Sequence, residues 1–209
     1  MTSSAAQKST GIESDASKCP EQVLIANDVG NILIVLDVDH APKSAMSFLE
    51  QVDRGGYEGA TFWRSLSPQN DNSSPAISVI QATMENLELA TMVPHVATSE
   101  TGLRHIDGTI SLARGDGGNC TTTGFFICVD TQPALDAGGG RTNDNAGFTA
   151  FGRVIEGMQT VLAIHRSRTQ SDAFHIYLEG QLLSEPLRIH QISRTQGIPE
   201  VGRLIGDVK

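Results

Sequence analysis

The chain is short of cationic side chains, poor in cysteine and without a long apolar run. Its 15 lysines and arginines stand against 24 aspartates and glutamates, for a formal net charge of −9. Phosphate binding needs a basic surface, so nucleic acid is not expected as a partner. No apolar run approaches the roughly 18 residues of a membrane-crossing helix, and no membrane partner is expected either. The first twenty residues are polar and small, with no apolar core of a secretory leader. The expected compartment is therefore the cytoplasm as the chain stands, or the periplasm if a leader has been removed. The three cysteines, Cys19, Cys120 and Cys128, form no CxxC pair, and an odd count gives no disulfide framework. They read as small buried or loop thiols. The six histidines are scattered, so no metal site is indicated.

What is present is enough for a packed globule. The chain has 209 residues, 39% of them hydrophobic and 19% charged, which suits one domain. Residues 1–20 have the composition of a flexible arm, 21–195 form the domain, and 196–209 are a tail. Several catalytic classes drop out. There is no GxSxG elbow for a serine hydrolase and no phosphate-cradling loop ending in GK[ST]. The Gly-rich stretch Arg114–Asn119 reads as a solvated turn.

The order of elements points to a mainly β fold. Val23–Ile25 and Ile32–Leu36 are β-branched runs around an Asn27–Asn31 turn. Pro42 suits a first helical turn, and Ala45, Phe48, Leu49 and Val52 recur at helical spacing up to Gly55-Gly56. Tyr57–Ser65 reads as a turn and then a strand, Ala76–Ala82 as a further β-like run, with a polar surface loop, Pro68–Pro75, between them. Glu85–Met92 is ambiguous, and a helical turn is expected near Glu100–Leu103. Thr109–Ala113 and Phe125–Val129 are two central strands. A long loop over Pro133–Gly147 leads to a strand at Thr149–Val154, a helix at Glu156–His165 and a last strand at Leu187–Ile192. About eight short strands and two distant helices do not alternate as βαβα. A closed, eight-stranded antiparallel barrel capped by two helices fits them.

Three features remain as candidate chemistry: Arg64 in a strand-like run, Gln81, and the pair Phe125-Phe126. Strand alternation puts Phe62 and Arg64 on one face and Trp63 on the other. It also separates Phe125 from Phe126, so one packs in the core and the other lines a surface pocket. Taken bare, Arg64 reads more readily as a surface charge, and the Phe pair as plain core.

The ordered set of motifs resembles a cyclophilin. Ala41-Pro42-Lys43-Ser44, Phe48-Leu49 and Gly56-Tyr57-Glu58-Gly59-Ala60-Thr61-Phe62-Trp63-Arg64 are similar to the family run APKTVxNFLxxxxxGxYDGxxFHR. Ile80-Gln81 resembles the QGG site. Gly108–Arg114 resembles GTIxMAR, and Gly124–Ile127 resembles SQFFI. Ala134-Leu135-Asp136 resembles WLD, and Phe151–Met158 resembles FGKVxxGM. Order and rough spacing hold over residues 22–194, closer to bacterial cyclophilins with an extended loop than to the human cytosolic form.

The resemblance implies a peptidyl-prolyl cis-trans isomerase acting on proline-containing peptides and unfolded proteins, with no cofactor, no metal and no covalent intermediate. It implies Arg64, Gln81 and Phe126 as catalytic residues: the guanidinium acting on the twisting amide, the glutamine on the substrate backbone, the ring as pocket floor. Phe62, Val79, Leu135 and Phe148 are then expected around the pocket. The backbone of Ala113 and Arg114 is expected to meet the peptide, with Gly124 beside it. Several positions depart from the family. Trp63 replaces the usual His. Gly124 replaces Gln or Glu, losing one peptide contact. Ala134 replaces the Trp tied to cyclosporin, so cyclosporin binding is expected to be weak. Phe148 replaces His or Tyr. Extra residues at Ser67–Ser78 and Ala137–Gly147 are expected to rim the cleft. The competing readings are a proline-peptide binding or chaperone module with little turnover, and a scaffold subunit.

Overall fold

The computed structural model describes residues 20–115, 118–171 and 175–195. The arm at residues 1–19, including Cys19, and the tail at 196–209 lie outside them. The elements are β1 (Gln22–Asn27), β2 (Asn31–Leu36), α1 (Pro42–Asp53), β3 (Thr61–Leu66), β4 (Val79–Thr83), β5 (Met92–Val93) and α2 (Thr98–Thr101). They continue with β6 (Thr109–Arg114), β7 (Cys120–Cys128), β8 (Ala150–Glu156), α3 (Met158–His165), β9 (Thr169–Gln170) and β10 (Leu182–Thr195).

Eight strands run β1-β2-β8-β6-β7-β4-β3-β10, and β10 pairs back onto β1. The sheet is thereby a closed antiparallel barrel with no long open edge. The short strands β5 and β9 are extra, pairing with β7 and β10. The first hairpin closes as its residues suggest: Asn27 Oδ1 accepts from Val29 N at 2.9 Å, an Asx turn.

Helix α1 has Pro42 in its first turn, where a missing N–H costs nothing, and buries Ala45, Phe48, Leu49 and Val52. Phe48 meets Tyr57, Phe125 and Phe151 at ring-centroid distances of 5.1, 5.6 and 5.2 Å. Each such ring, fully buried, contributes about 1.5–3 kcal/mol. The second capping helix, α3, begins after Gly157, whose φ is +93°. A Cβ there would lie 2.3 Å from the carbonyl oxygen of Asn31, so only glycine lets the helix start so close to β2.

Alternation on β4 and β7 sorts residues between two clusters. Ile80, Ala82, Phe125 and Ile127 point into the barrel, whereas Val79, Phe126 and Cys128 point outward. The outward set joins Leu66, Ile77 and Leu135, with Ala134 and Phe148 packed against it. The Ser67–Ser78 loop contributes Ile77 to this second cluster, and Phe148 follows directly on the Ala137–Gly147 loop.

Some boundaries differ from expectation. The last strand is 14 residues long rather than six, because Pro186 falls in a register shift between Leu182 and Leu187 instead of starting the strand. The ambiguous 85–92 segment holds one 3₁₀ turn, Leu87–Leu89, and β5. The Pro68–Pro75 loop is less superficial than its composition suggests, since the Asp71 side chain is fully buried.

Candidate active site

One row of residues crosses four neighbouring strands on the outside of the barrel. Arg64 of β3 is in register with Gln81 of β4, Gln81 with Phe126 of β7, and Phe126 with Ser111 of β6. The sheet therefore sets a cation, an amide and an aromatic ring side by side. Arg64 Nη1 donates to Gln81 Oε1 at 3.2 Å. With that carbonyl taken, the Gln81 amide nitrogen is left to donate elsewhere.

Arg64 is half-buried and held on several sides. Its Nε donates to Gln181 Oε1 at 2.9 Å, and its Nη2 donates to the same oxygen. The Tyr177 ring lies over the guanidinium, with Cζ 5.5 Å from the centroid. Burial lowers the Arg64 pKa to about 10. The Arg141 cation adds to the fall, and Tyr177 and Asp71 oppose it. The side chain stays cationic at neutral pH.

Phe126 is 5% exposed and lies between two rings. Phe148 meets it edge-on at 5.3 Å, and the buried His105 stacks on it at 6.0 Å. Val79 and Leu135 belong to the same cluster. Leu135 has no exposed surface, so it packs behind Phe126 and is not open to a ligand.

Phe62, expected beside Phe126, is not in this cluster. It is fully buried inside the barrel, edge-on to Phe125 at 6.1 Å. The reason is a β-bulge: Phe62 pairs with Ala82 while Arg64 pairs with Gln81, so Trp63 is an extra residue. The bulge breaks the expected alternation and puts Phe62 and Arg64 on opposite faces. The Trp63 indole N–H is buried with no partner among the described residues.

Ala113 and Arg114 are half-buried at the end of β6. The ladder with β8 stops at Ser111, so the β8 side of this segment has no strand partner. Arg114 donates to the carbonyls of Gly118 and Gly147, at 2.8 and 3.1 Å, and is paired with Asp144. Gly124 is buried where β7 runs close to β4. The two loops around the site are joined by an ion pair: Arg141 bonds Asp71 at 2.8 Å and donates to the Pro75 carbonyl at 2.7 Å.

Sequence reasoning missed Gln181, Tyr177 and His105. Gln181 is 117 positions from Arg64, and no spacing rule links them. Asp136 was visible only as part of the WLD-like motif, with no role attached. Both described cysteines, Cys120 and Cys128, are free and buried, as expected of inert thiols. Burial raises both thiol pKa values.

The outside of the barrel thus carries a cation, an amide whose nitrogen is left to donate, and an aromatic ring on adjacent strands. The comparisons with known proteins agree with the resemblance read from the sequence. Residues 22–178 match the family model described as cyclophilin type peptidyl-prolyl cis-trans isomerase/CLD. Peptidyl-prolyl cis-trans isomerase A of Dickeya dadantii is 30% identical over 158 residues, 75% of this chain and 77% of that protein. Isomerase cyp18 of Streptomyces antibioticus is 30% identical over 156 residues, 73% of this chain and 88% of that one. A Cryptosporidium parvum cyclophilin-type isomerase, solved in the presence of the dipeptide Ala-Pro, shares the fold. Its TM-score is 0.61 at 18% identity, over 84% of this chain and 99% of that chain. The chain belongs to the cyclophilin-type peptidyl-prolyl cis-trans isomerase family.

Proposed function

We propose that this isomerase binds an X-Pro segment with the proline ring on Phe126 and turns it over by a fixed guanidinium, without covalent chemistry. The observation that carries the reading is the register row Arg64–Gln81–Phe126. The barrier to rotation is about 18–20 kcal/mol because the planar amide is resonance-stabilised. Each tenfold acceleration needs about 1.4 kcal/mol of selective stabilisation of the twisted form. That form has less C–N double-bond character and a pyramidal nitrogen. A cation held beside it stabilises it over the planar one. Gln81 Nε2 then donates to the substrate backbone. The peptide runs on as an extended segment against Ala113 and Arg114.

Binding of proline peptides is supported by family membership and by the relative solved with Ala-Pro. The second reading, a binding module with little turnover, draws on Gly124 and Phe148, which depart from the family pattern; Phe148 stands edge-on to Phe126 at 5.3 Å. Weak cyclosporin binding follows from Ala134 in place of tryptophan. A protease-coupled assay on an X-Pro peptide, with Arg64→Ala beside the parent, decides the matter. Turnover lost in Arg64→Ala with peptide binding kept supports the Arg-assisted reading. Equal turnover in the two proteins overturns it.

A further inference from the structure

The role proposed for Arg64 does not say why the guanidinium keeps its position. No carboxylate bonds it among the described residues. Its Nε and Nη2 both donate to one neutral oxygen, Gln181 Oε1, the first at 2.9 Å. The Gln181 side chain has no exposed surface, and its Nε2 donates to the Asn70 carbonyl at 2.9 Å. Both ends of the amide are therefore committed. A flipped amide would aim N–H groups at N–H groups, so this network fixes the orientation.

Asn70 is itself pinned. Its Nδ2 donates to the carbonyls of Ser65 and Gly180, at 3.1 and 2.9 Å. Its Oδ1 accepts from Ser67 N at 2.7 Å. Two positions on, Asn72 Nδ2 donates to the Glu179 carbonyl at 2.8 Å. The Ser67–Ser78 loop thus grips the 179–181 segment that carries Gln181. From the sequence this loop was expected only to rim the cleft.

We propose that Gln181 is a positioning residue that locks the Arg64 guanidinium through a neutral carbonyl, and that Asn70 of the Ser67–Ser78 loop locks Gln181. The inference rests on the role given to Arg64 above. A carboxylate in the same place would form a stronger, two-pronged pair, but it would cancel the charge the reaction uses. An amide orients the fork and leaves the charge. It takes the Nε–H and one N–H of Nη2, and Gln81 takes one N–H of Nη1, so that one N–H on each of the two terminal nitrogens is left to donate.

The test uses two variants of the same size. Gln181→Glu keeps the acceptor and adds a charge; Gln181→Met removes the acceptor. The expected result is a fall of about tenfold or more in kcat for both, with KM for an X-Pro peptide unchanged, because the Phe126 pocket is untouched. Asn70→Ala is expected to move kcat in the same direction by less. Arg64→Ala runs in parallel. If it loses turnover while folded Gln181→Glu and Gln181→Met stay within about twofold of the parent, this proposal is wrong and the Arg64 role stands. If Arg64→Ala keeps turnover, the underlying role is wrong. Should the Gln181 variants not fold, the parent protein still decides. Slow side-chain hydrogen exchange at Arg64 Nε–H, read by nitrogen-15 NMR, supports the lock, and exchange at the rate of a free arginine removes it.

Discussion

The imidazole of His105 lies almost flat against the ring of Phe126, with centroids 6.0 Å apart and planes 18° from parallel. His105 has no exposed surface; its Nδ1 is 2.8 Å from Asp136 Oδ1 and its Nε2 is 3.2 Å from the Ser111 hydroxyl. The Phe126 ring therefore rests on a titratable one. Burial holds the His105 pKa below its ordinary value, against the Asp136 carboxylate, which raises it. The unfolded chain then binds a proton that the folded chain refuses. Stability is full above the ordinary histidine pKa of about 6.5 and falls as pH drops from there toward the lower folded value. His95 is shifted in the same direction, also by burial first. Thermal unfolding from pH 8 to pH 5 should show this decline, and His105→Asn should flatten part of it. A melting temperature that stays level across the range would contradict the account.

Arg64→Lys is expected to behave almost as a deletion. A lysine cannot place two N–H groups on Gln181 and a third on Gln81, because it has one nitrogen on a flexible stem. Turnover should drop by about 10²–10³, in line with loss of one aimed electrostatic donor. Binding of an X-Pro peptide, followed by NMR titration, should remain. Substantial turnover in Arg64→Lys would mean that charge alone, without the planar fork, is sufficient.

The Asp71–Arg141 ion pair beside the site is deeply buried, with side chains 0% and 10% exposed. Asp71 also accepts from Ile77 N at 2.9 Å, and Ile77 packs in the Phe126 cluster. Removing one partner leaves the other charge buried and unpaired. Arg141→Met and Asp71→Ala should each cost about 3–5 kcal/mol. The double variant should cost clearly less than their sum, since no orphan charge remains. Chemical unfolding of the three variants measures the coupling, and strict additivity would show that the pair does not act as a unit.

Cyclosporin should inhibit this isomerase poorly. Ala134 is half-buried at the edge of the Phe126 cluster, where the family's tryptophan offers a large flat surface. An inhibition constant in the low micromolar range or tighter would contradict this. Ala134→Trp should strengthen inhibition while leaving turnover of an X-Pro peptide nearly as it was.

The row Arg64–Gln81–Phe126 was legible because order and motif spacing survive in sequence even when strand ends do not. The barrel was legible for a related reason: short β-branched runs broken by turns cannot bury themselves as a parallel α/β sheet. Phe62 was misplaced because alternation assumes a regular strand, and a bulge at Trp63 is a property of the β3–β4 pairing rather than of β3 alone. Gln181 and Tyr177 were invisible for a different reason. They reach Arg64 from beyond a barrel's worth of chain, and a glutamine after Gly180 has no composition signal of its own. His105 stacks where it does only because β6 and β7 are neighbours in the closed sheet.

Gly124 shows that a departure from a family pattern is not always a contact waiting to be restored. The family places glutamine before the Phe pair, so Gly124→Gln looks like a repair. In this barrel a Cβ at Gly124 would stand 2.5 Å from the Ala82 carbonyl oxygen, and that oxygen is backbone. β4 and β7 would have to part at Thr83↔Gly124, four pairs from Val79↔Cys128 and two from Gln81↔Phe126. Those are the strands that set the amide beside the ring. Gly124→Ala and Gly124→Gln should each destabilise the protein by about 1–3 kcal/mol, the usual cost of overpacking. For a domain of this size that is a loss of about 2–4 °C in Tm per kcal/mol. Turnover should fall with it, because spreading the strands pulls Gln81 from Phe126. A Gly124→Gln variant that melts no lower and turns over faster would show that the strands have room, and that the glutamine is a true missing contact.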